Sequence, residues 1–192
     1  PRKLFGIAET DVVETGKLIA HHSTNPKGTH RPLHPGVSIG RDNWSGTLGV
    51  FVTRRGWVFG LTNWHVAVGG NGRVGDSIYQ PGMADASPSP HSYIGTLSNY
   101  VGIRFGVAGV LFRNTMDAAL VTLNTLVPLI TGIPLIGLVS QTADAYVGMS
   151  VKKYGRTTRL TKSTVQYLNA TTRVTYKEGV AIFKGQILFG GL

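Results

Sequence analysis

Two side chains in this sequence have the type and setting for proton transfer, His65 and Asp117. His65 lies near the end of the run Gly56-Trp57-Val58-Phe59-Gly60-Leu61-Thr62-Asn63-Trp64-His65-Val66-Ala67, in which an apolar strand delivers an imidazole to its tip. Imidazole changes charge near neutral pH, which suits it to work as general base and then general acid. A rigid strand end is a natural place from which to present such a group to a cleft. Asp117 stands directly before a second apolar run, Ala118-Ala119-Leu120-Val121-Thr122-Leu123, 52 residues further on. A carboxylate heading a buried strand is costly to desolvate unless it is hydrogen-bonded or paired. His65 is the partner expected for it, because a carboxylate can fix the tautomer of an imidazole and stabilise the imidazolium that forms when the base takes a proton.

Such a pair needs a nucleophile to deprotonate. Ser38, Ser140, Ser150 and Ser163 sit in loops or at strand starts, and none has the glycine-flanked sharp turn that exposes a nucleophilic hydroxyl. The absence of cysteine removes a thiolate nucleophile, thiolate metal ligation and disulfides. His21, His22, His30 and His34 lie within residues 21–35 and raise the possibility of zinc or nickel, but their loose spacing, the missing carboxylate pattern and the stiffening Pro32 and Pro35 make this stretch read as a solvated arm. No metal or cofactor is expected. Gly70-Asn71-Gly72-Arg73-Val74-Gly75 matches a dinucleotide-binding fingerprint, yet the residues after it read as strand and turn instead of a helix start, and no acid follows near twenty residues on. A glycine-rich hairpin turn is the expected structure there.

The elements that must carry His65 and Asp117 are strands. Gly (26 residues) and Pro (9 residues) punctuate the chain at short intervals, and Val, Ile, Thr, Phe and Tyr fill the runs between them. Strands are expected at 47–53, 57–62, 77–80, 92–97, 118–123, 150–154, 163–168 and 180–187, with a short helix conceivable only in the first twenty residues. At 42% hydrophobic content the 192 residues can bury a real core. The most apolar stretch, 126–139, is broken by Pro128, Gly132, Pro134 and Gly137, so no membrane helix is expected and the chain reads as soluble. This pattern predicts an all-β sandwich or barrel. Residues 1–35 read as an irregular N-terminal extension, 36–126 as a first β-barrel carrying His65 and Asp117, 127–144 as a crossing, and 145–192 as a partial second β-barrel with three or four strands.

A formal charge of +10 raises a nucleic-acid partner, and Lys152, Lys153, Arg156, Arg159 and Lys162 crowd one stretch. No aromatic platform or recognition helix accompanies them, so they read as a solvated strand-and-turn surface, and neither nucleic acid nor membrane is expected as a partner.

The run through Leu61-Thr62 to His65 resembles the histidine motif of trypsin-like (chymotrypsin-fold) serine peptidases, and Asp117-Ala118-Ala119-Leu120 resembles their aspartate motif. Three further blocks, in order, resemble the bacterial branch: Gly36-Val37-Ser38-Ile39-Gly40 with Gly46-Thr47-Leu48-Gly49; Gly75-Asp76 with Gln80-Pro81-Gly82; and Tyr154-Gly155-Arg156-Thr157-Thr158-Arg159-Leu160-Thr161. The resemblance runs from about residue 36 to 190. It implies a chymotrypsin-like double β-barrel, the first barrel complete and the second partial, with His65 as general base and acid and Asp117 orienting it. It also implies a polypeptide substrate. One departure is Arg159, where relatives often carry glycine, so the turn is expected to differ in backbone geometry or to run at negative φ. The larger departure is that the Gly-Asp-Ser-Gly nucleophile motif would follow the strand at 180–188, and the sequence stops at Gly190-Gly191-Leu192.

The expectation is therefore a serine endopeptidase of which these residues are the His/Asp-bearing portion, inactive by themselves. The nucleophile is then expected on a missing or separate C-terminal segment that completes the second barrel. The alternative is a catalytically inactive binding or structural protein on a protease-like scaffold.

Overall fold

The computed structural model describes residues 25–86, 92–107 and 109–190, and among them the regular elements are almost all strands. Eleven strands are present: β1 Ser38–Ile39, β2 Gly46–Thr47, β3 Val50–Arg54, β4 Trp57–Thr62, β5 Ser77–Tyr79, β6 Tyr93–Tyr100, β7 Arg113–Asn114, β8 Ala119–Leu123, β9 Ser150–Gly155, β10 Arg159–Tyr176 and β11 Gly179–Phe189. A four-residue helix, α1 Trp64–Ala67, follows β4. The short helix conceived for the first twenty residues lies outside the described residues.

A five-stranded antiparallel sheet runs in the order β3-β4-β8-β6-β5. β8 shows why: Ala119, Val121 and Leu123 are buried while Leu120 and Thr122 between them are only partly covered, the alternation of a strand with one face on the core. With them pack Ile78, Ile94 and Leu97 of β5 and β6, joined by Ile39, Leu48, Trp64 and Val66 from outside the sheet. Full burial of each such aliphatic side chain contributes about 1.5–3 kcal/mol. The pairing of β4 with β8 sets Thr62 opposite Ala119. Because the two strands are antiparallel, the end of β4 lies beside the start of β8, so a residue just past Thr62 and one just before Ala119 emerge at the same edge of the sheet. The short sheet β1-β2 lies next to these strands, and Gly40 exchanges both backbone hydrogen bonds with Tyr79 of β5, at 3.1 and 2.9 Å.

The second sheet, of order β7-β11-β10-β9, is dominated by the long hairpin of β10 and β11. The strand expected at 163–168 is only part of β10, which continues through a polar, threonine-rich stretch to Tyr176. The register slips between Val165 and Thr172, where Asn169 takes φ 52° and Gly185 on the facing strand φ 71°. Such slips are β-bulges that bend a strand without ending it. β7, from the middle of the chain, pairs parallel with β11 through Arg113 and Asn114, a long-range contact that a two-residue strand does not announce. Apolar side chains remain exposed on this half, among them Tyr167, Leu168, Ile187 and Phe189 on the hairpin.

Residues 25–35 are not the solvated arm that their polarity suggests. Leu33 is fully buried and bridges Leu129, donating its N–H to Pro128 O at 2.7 Å. His30 and His34 are buried with it, their rings meeting through His34 Nε2 and His30 Nδ1 at 3.2 Å. The segment is irregular because its hydrogen bonds run to loops and side chains, such as the 3.0 Å bond from His30 N–H to Gln80 Oε1. Its burial comes from one leucine and reciprocal polar pairing, which a polar composition hides. His21 and His22 lie outside the described residues. Among the described residues no group of three or more His, Cys, Asp or Glu is gathered where a metal ion could sit, and no helix is long and apolar enough to cross a membrane.

Candidate functional site

β4 ends at Thr62, and the chain turns into α1, whose single turn closes through Val68 N–H donating to Trp64 O at 2.7 Å. Trp64, Val66 and Ala67 are buried, so they anchor α1 to the core and leave His65 as the residue that faces outward. Asn63, at the helix start, does not cap the helix with its side chain. It donates its amide to the backbone carbonyl of Asp117 at 3.0 Å instead, tying the β4 exit to the β8 entrance.

The structure brings His65 and Asp117 together. His65 Nδ1 lies 2.6 Å from Asp117 Oδ2, and the His65 backbone N–H donates to Asp117 Oδ1 at 3.3 Å. An ionised carboxylate can only accept, so Nδ1 carries the hydrogen and Nε2 is left as the basic nitrogen of the neutral ring. The His65 side chain is 46% exposed and that of Asp117 15%, which leaves the base accessible and its partner shielded. Burial pushes the Asp117 carboxyl up, but the hydrogen bond and charge of His65, the Tyr176 hydroxyl and the His65 backbone N–H outweigh it and hold the group below the usual carboxylate range.

Tyr176 is the member that the sequence did not single out. Its hydroxyl donates to Asp117 Oδ2 at 2.9 Å from the end of β10. Burial first, and the neighbouring Asp117 second, push the Tyr176 phenol well up, so it remains a donor. A usable signal was present in Tyr176-Lys177-Glu178-Gly179, a two-residue turn between two β-rich runs.

His65, Asp117 and Tyr176 line a cleft of about 570 Å³ whose rim includes Trp44, Lys177 and Glu178. Lys177 Nζ lies 5.9 Å from the Trp44 ring centroid, a cation–π contact across the cleft. Among the described residues no serine lines this cleft. Ser38 is fully buried and donates its hydroxyl to Asp85 Oδ2 at 2.5 Å. Gly70 to Gly75 form turns that lead from α1 into β5, so no nucleotide-binding helix start follows them, but they join a helix to a strand and the hairpin turn expected there is not found. The arrangement can accept a proton at His65 Nε2 and hold the resulting imidazolium against Asp117.

No family model matches the chain, and no curated protein does. Solved structures do. Nocardiopsis protease (NAPase) is similar with a TM-score of 0.53 and 20% identity, over 80% of this chain and 68% of that one. Alpha-lytic protease homolog N4 is similar with a TM-score of 0.53 and 22% identity, over 81% of this chain and 70% of that one. Taken with the almost exclusively stranded architecture, these similarities give the chain the chymotrypsin-like fold of the bacterial serine proteases.

Proposed function

We propose that the whole protein is a serine endopeptidase. His65 is its general base and acid, Asp117 orients and stabilises His65, and the nucleophile is supplied by a segment following Leu192. The observation that carries this reading is the 2.6 Å contact between His65 Nδ1 and Asp117 Oδ2 on a chymotrypsin-like fold. In the reaction, the serine oxygen bonds to the scissile carbonyl carbon while its proton passes to His65 Nε2. The imidazolium, held by Asp117, then gives that proton to the leaving amine as the C–N bond breaks. Water repeats the sequence on the acyl-enzyme and frees the serine.

The division into 36–126, a crossing at 127–144 and 145–192 belongs to the same proposal, as does a C-terminal segment completing the second barrel. Tyr167, Leu168, Ile187 and Phe189 support it, since they leave apolar surface on the β10–β11 hairpin for such a segment to cover. A polypeptide is the proposed substrate.

The test uses the protein with its C-terminal continuation. A fluorophosphonate should label one serine beyond Leu192, hydrolysis of a casein substrate should be measurable, and His65→Ala should abolish both. Residues 1–192 alone should hydrolyse nothing above the buffer rate. Absence of both labelling and hydrolysis in the complete protein would overturn the peptidase and leave the binding-protein alternative.

A further inference from the structure

We propose that Tyr176 is a positioning residue for the His65–Asp117 pair: its hydroxyl, donated to Asp117 Oδ2 at 2.9 Å, fixes the carboxylate so that the remaining lone pair of that oxygen faces His65 Nδ1 at 2.6 Å. Its catalytic use rests on the peptidase reading above. The placement does not, because it follows from the hairpin.

Tyr176 is the last residue of β10 and sits opposite Gly179, with only Lys177 and Glu178 between them. A two-residue connection leaves little freedom in where the strand end points. Gly179 takes φ 140°, and a Cβ there would come 3.4 Å from Phe105 Cβ, so the hairpin lies close against the residues around the site. The Tyr176 ring is then boxed by aromatics, edge-on to Phe105 at 5.7 Å and to Trp64 at 6.4 Å, and tilted against Phe183 at 6.3 Å. A phenylalanine would fill that box equally well. The hydroxyl is the part that packing does not explain, and it goes to the one oxygen that also holds the base.

An oxygen with two lone pairs can accept from both donors at once. Tyr176 therefore does not compete with His65; it removes the freedom of the carboxylate to rotate away from the ring. With the His65 backbone N–H on Oδ1, the carboxylate has three donors, an arrangement that favours its ionised form.

The experiment is a carboxyl-carbon NMR titration of Asp117 in residues 1–192, comparing the wild type with Tyr176→Phe. Loss of the hydroxyl should move the Asp117 midpoint up toward the ordinary carboxylate value, and the Nδ1 proton of His65 should exchange faster with water. If both stay where they were, Tyr176 only fills space and the proposal is overturned. Should Tyr176→Phe fail to fold, 3-fluorotyrosine at position 176 keeps the ring and strengthens the donor. The Asp117 midpoint should then move down, and an unmoved midpoint would again overturn the proposal. Neither measurement needs turnover, so failure of the peptidase assay and failure of this inference are read separately.

Discussion

Asp85 and Arg156, 71 residues apart in the chain, meet in a two-pronged ion pair in which the guanidinium Nε and Nη2 each bond one carboxylate oxygen. The Asp85 side chain is only 3% exposed, and the Ser38 hydroxyl and Lys27 ammonium also approach it. Arg156 therefore is not part of a solvated basic surface, as its neighbours in sequence suggested; it ties the β9–β10 turn to β1 and the loop after β5. Arg156→Met removes the two-pronged partner from a buried pair and leaves the carboxylate only the Ser38 hydroxyl and the more distant Lys27 ammonium. The expected loss is about 3–5 kcal/mol in urea unfolding followed by tryptophan fluorescence. Replacing both partners, as Asp85→Leu with Arg156→Met, should lose less than the sum of the single changes. A single-variant loss below about 1 kcal/mol contradicts the strength assigned to the pair.

Asp85 and Asp117 make stability depend on pH in the acid range. Burial pushes Asp85 up, but hydrogen bonds from Arg156 and Ser38 and the charges of Arg156 and Lys27 more than offset it, so its carboxyl sits below the usual value, as that of Asp117 does. A group whose folded pKa is depressed binds its proton more readily when unfolded. Its contribution is full above the unfolded value of about 3.9 and is lost as pH falls through the folded value. Urea midpoints should therefore fall steeply below about pH 4, and Asp85→Asn should flatten that fall. An unchanged acid limb in the variant excludes Asp85 as a source.

Arg159 adopts φ 55°, the left-handed region, at the turn between β9 and β10. The residue thus takes the backbone region that a glycine enters most easily, and the negative φ expected from the sequence is not found. A side chain in this region carries a penalty of about 1–2 kcal/mol, partly offset by the entropy that glycine loses on folding. Arg159→Gly should be neutral or stabilising by up to about 1 kcal/mol in the same urea assay, and a clear destabilisation would show that the arginine side chain makes a contact stronger than the strain.

What could be read from sequence was what local pattern controls. β4 runs from Trp57 to Thr62 as expected, because a short, unbroken apolar run between Gly56 and a polar exit fits a strand of that length. His65 and Asp117 were legible because each sits at the end of such a run. Tyr176 was not, since its role depends on how a hairpin 59 residues beyond Asp117 folds back over the site. The burial of His30 and His34 was equally hidden, because it comes from Leu33 and from two histidines bonding each other. The exact run of β10 was lost at Asn169, a residue that disfavours strands and here takes φ 52°, where register shifts against β11 bend the strand without ending it.

Gly46 in β2 holds the helix that carries His65. A Cβ at this position would lie 2.1 Å from Val66 Cγ2, far inside contact distance. Val66 is β-branched, stiff at χ1 and only 3% exposed, so it cannot swing aside without moving α1. Gly46→Ala should cost about 1–3 kcal/mol, as overpacking does. It should also shift the ring resonances of His65, which an overpacked site remote from α1 would leave alone. Retention of both stability and His65 shifts would show that β2 moves instead.

Asp117→Asn separates orientation from bulk. The amide is nearly the size of the carboxylate, yet it presents an NH₂ as well as an oxygen to His65 and carries no charge to hold an imidazolium. With the amide nitrogen toward Nδ1, the ring must accept there and carry its hydrogen on Nε2, the tautomer that cannot take a proton from a serine. In a peptidase working through this pair, kcat near neutral pH should fall by about 10⁴-fold, the scale set by the same substitution in the serine-protease template. KM should change little, because the carboxylate is only 15% exposed and acts through the imidazole it holds. The measurement is steady-state hydrolysis by the complete protein, with circular dichroism to show that the variant is folded. A drop of less than about tenfold in a folded variant would mean that Asp117 does not set the state of His65 during the reaction.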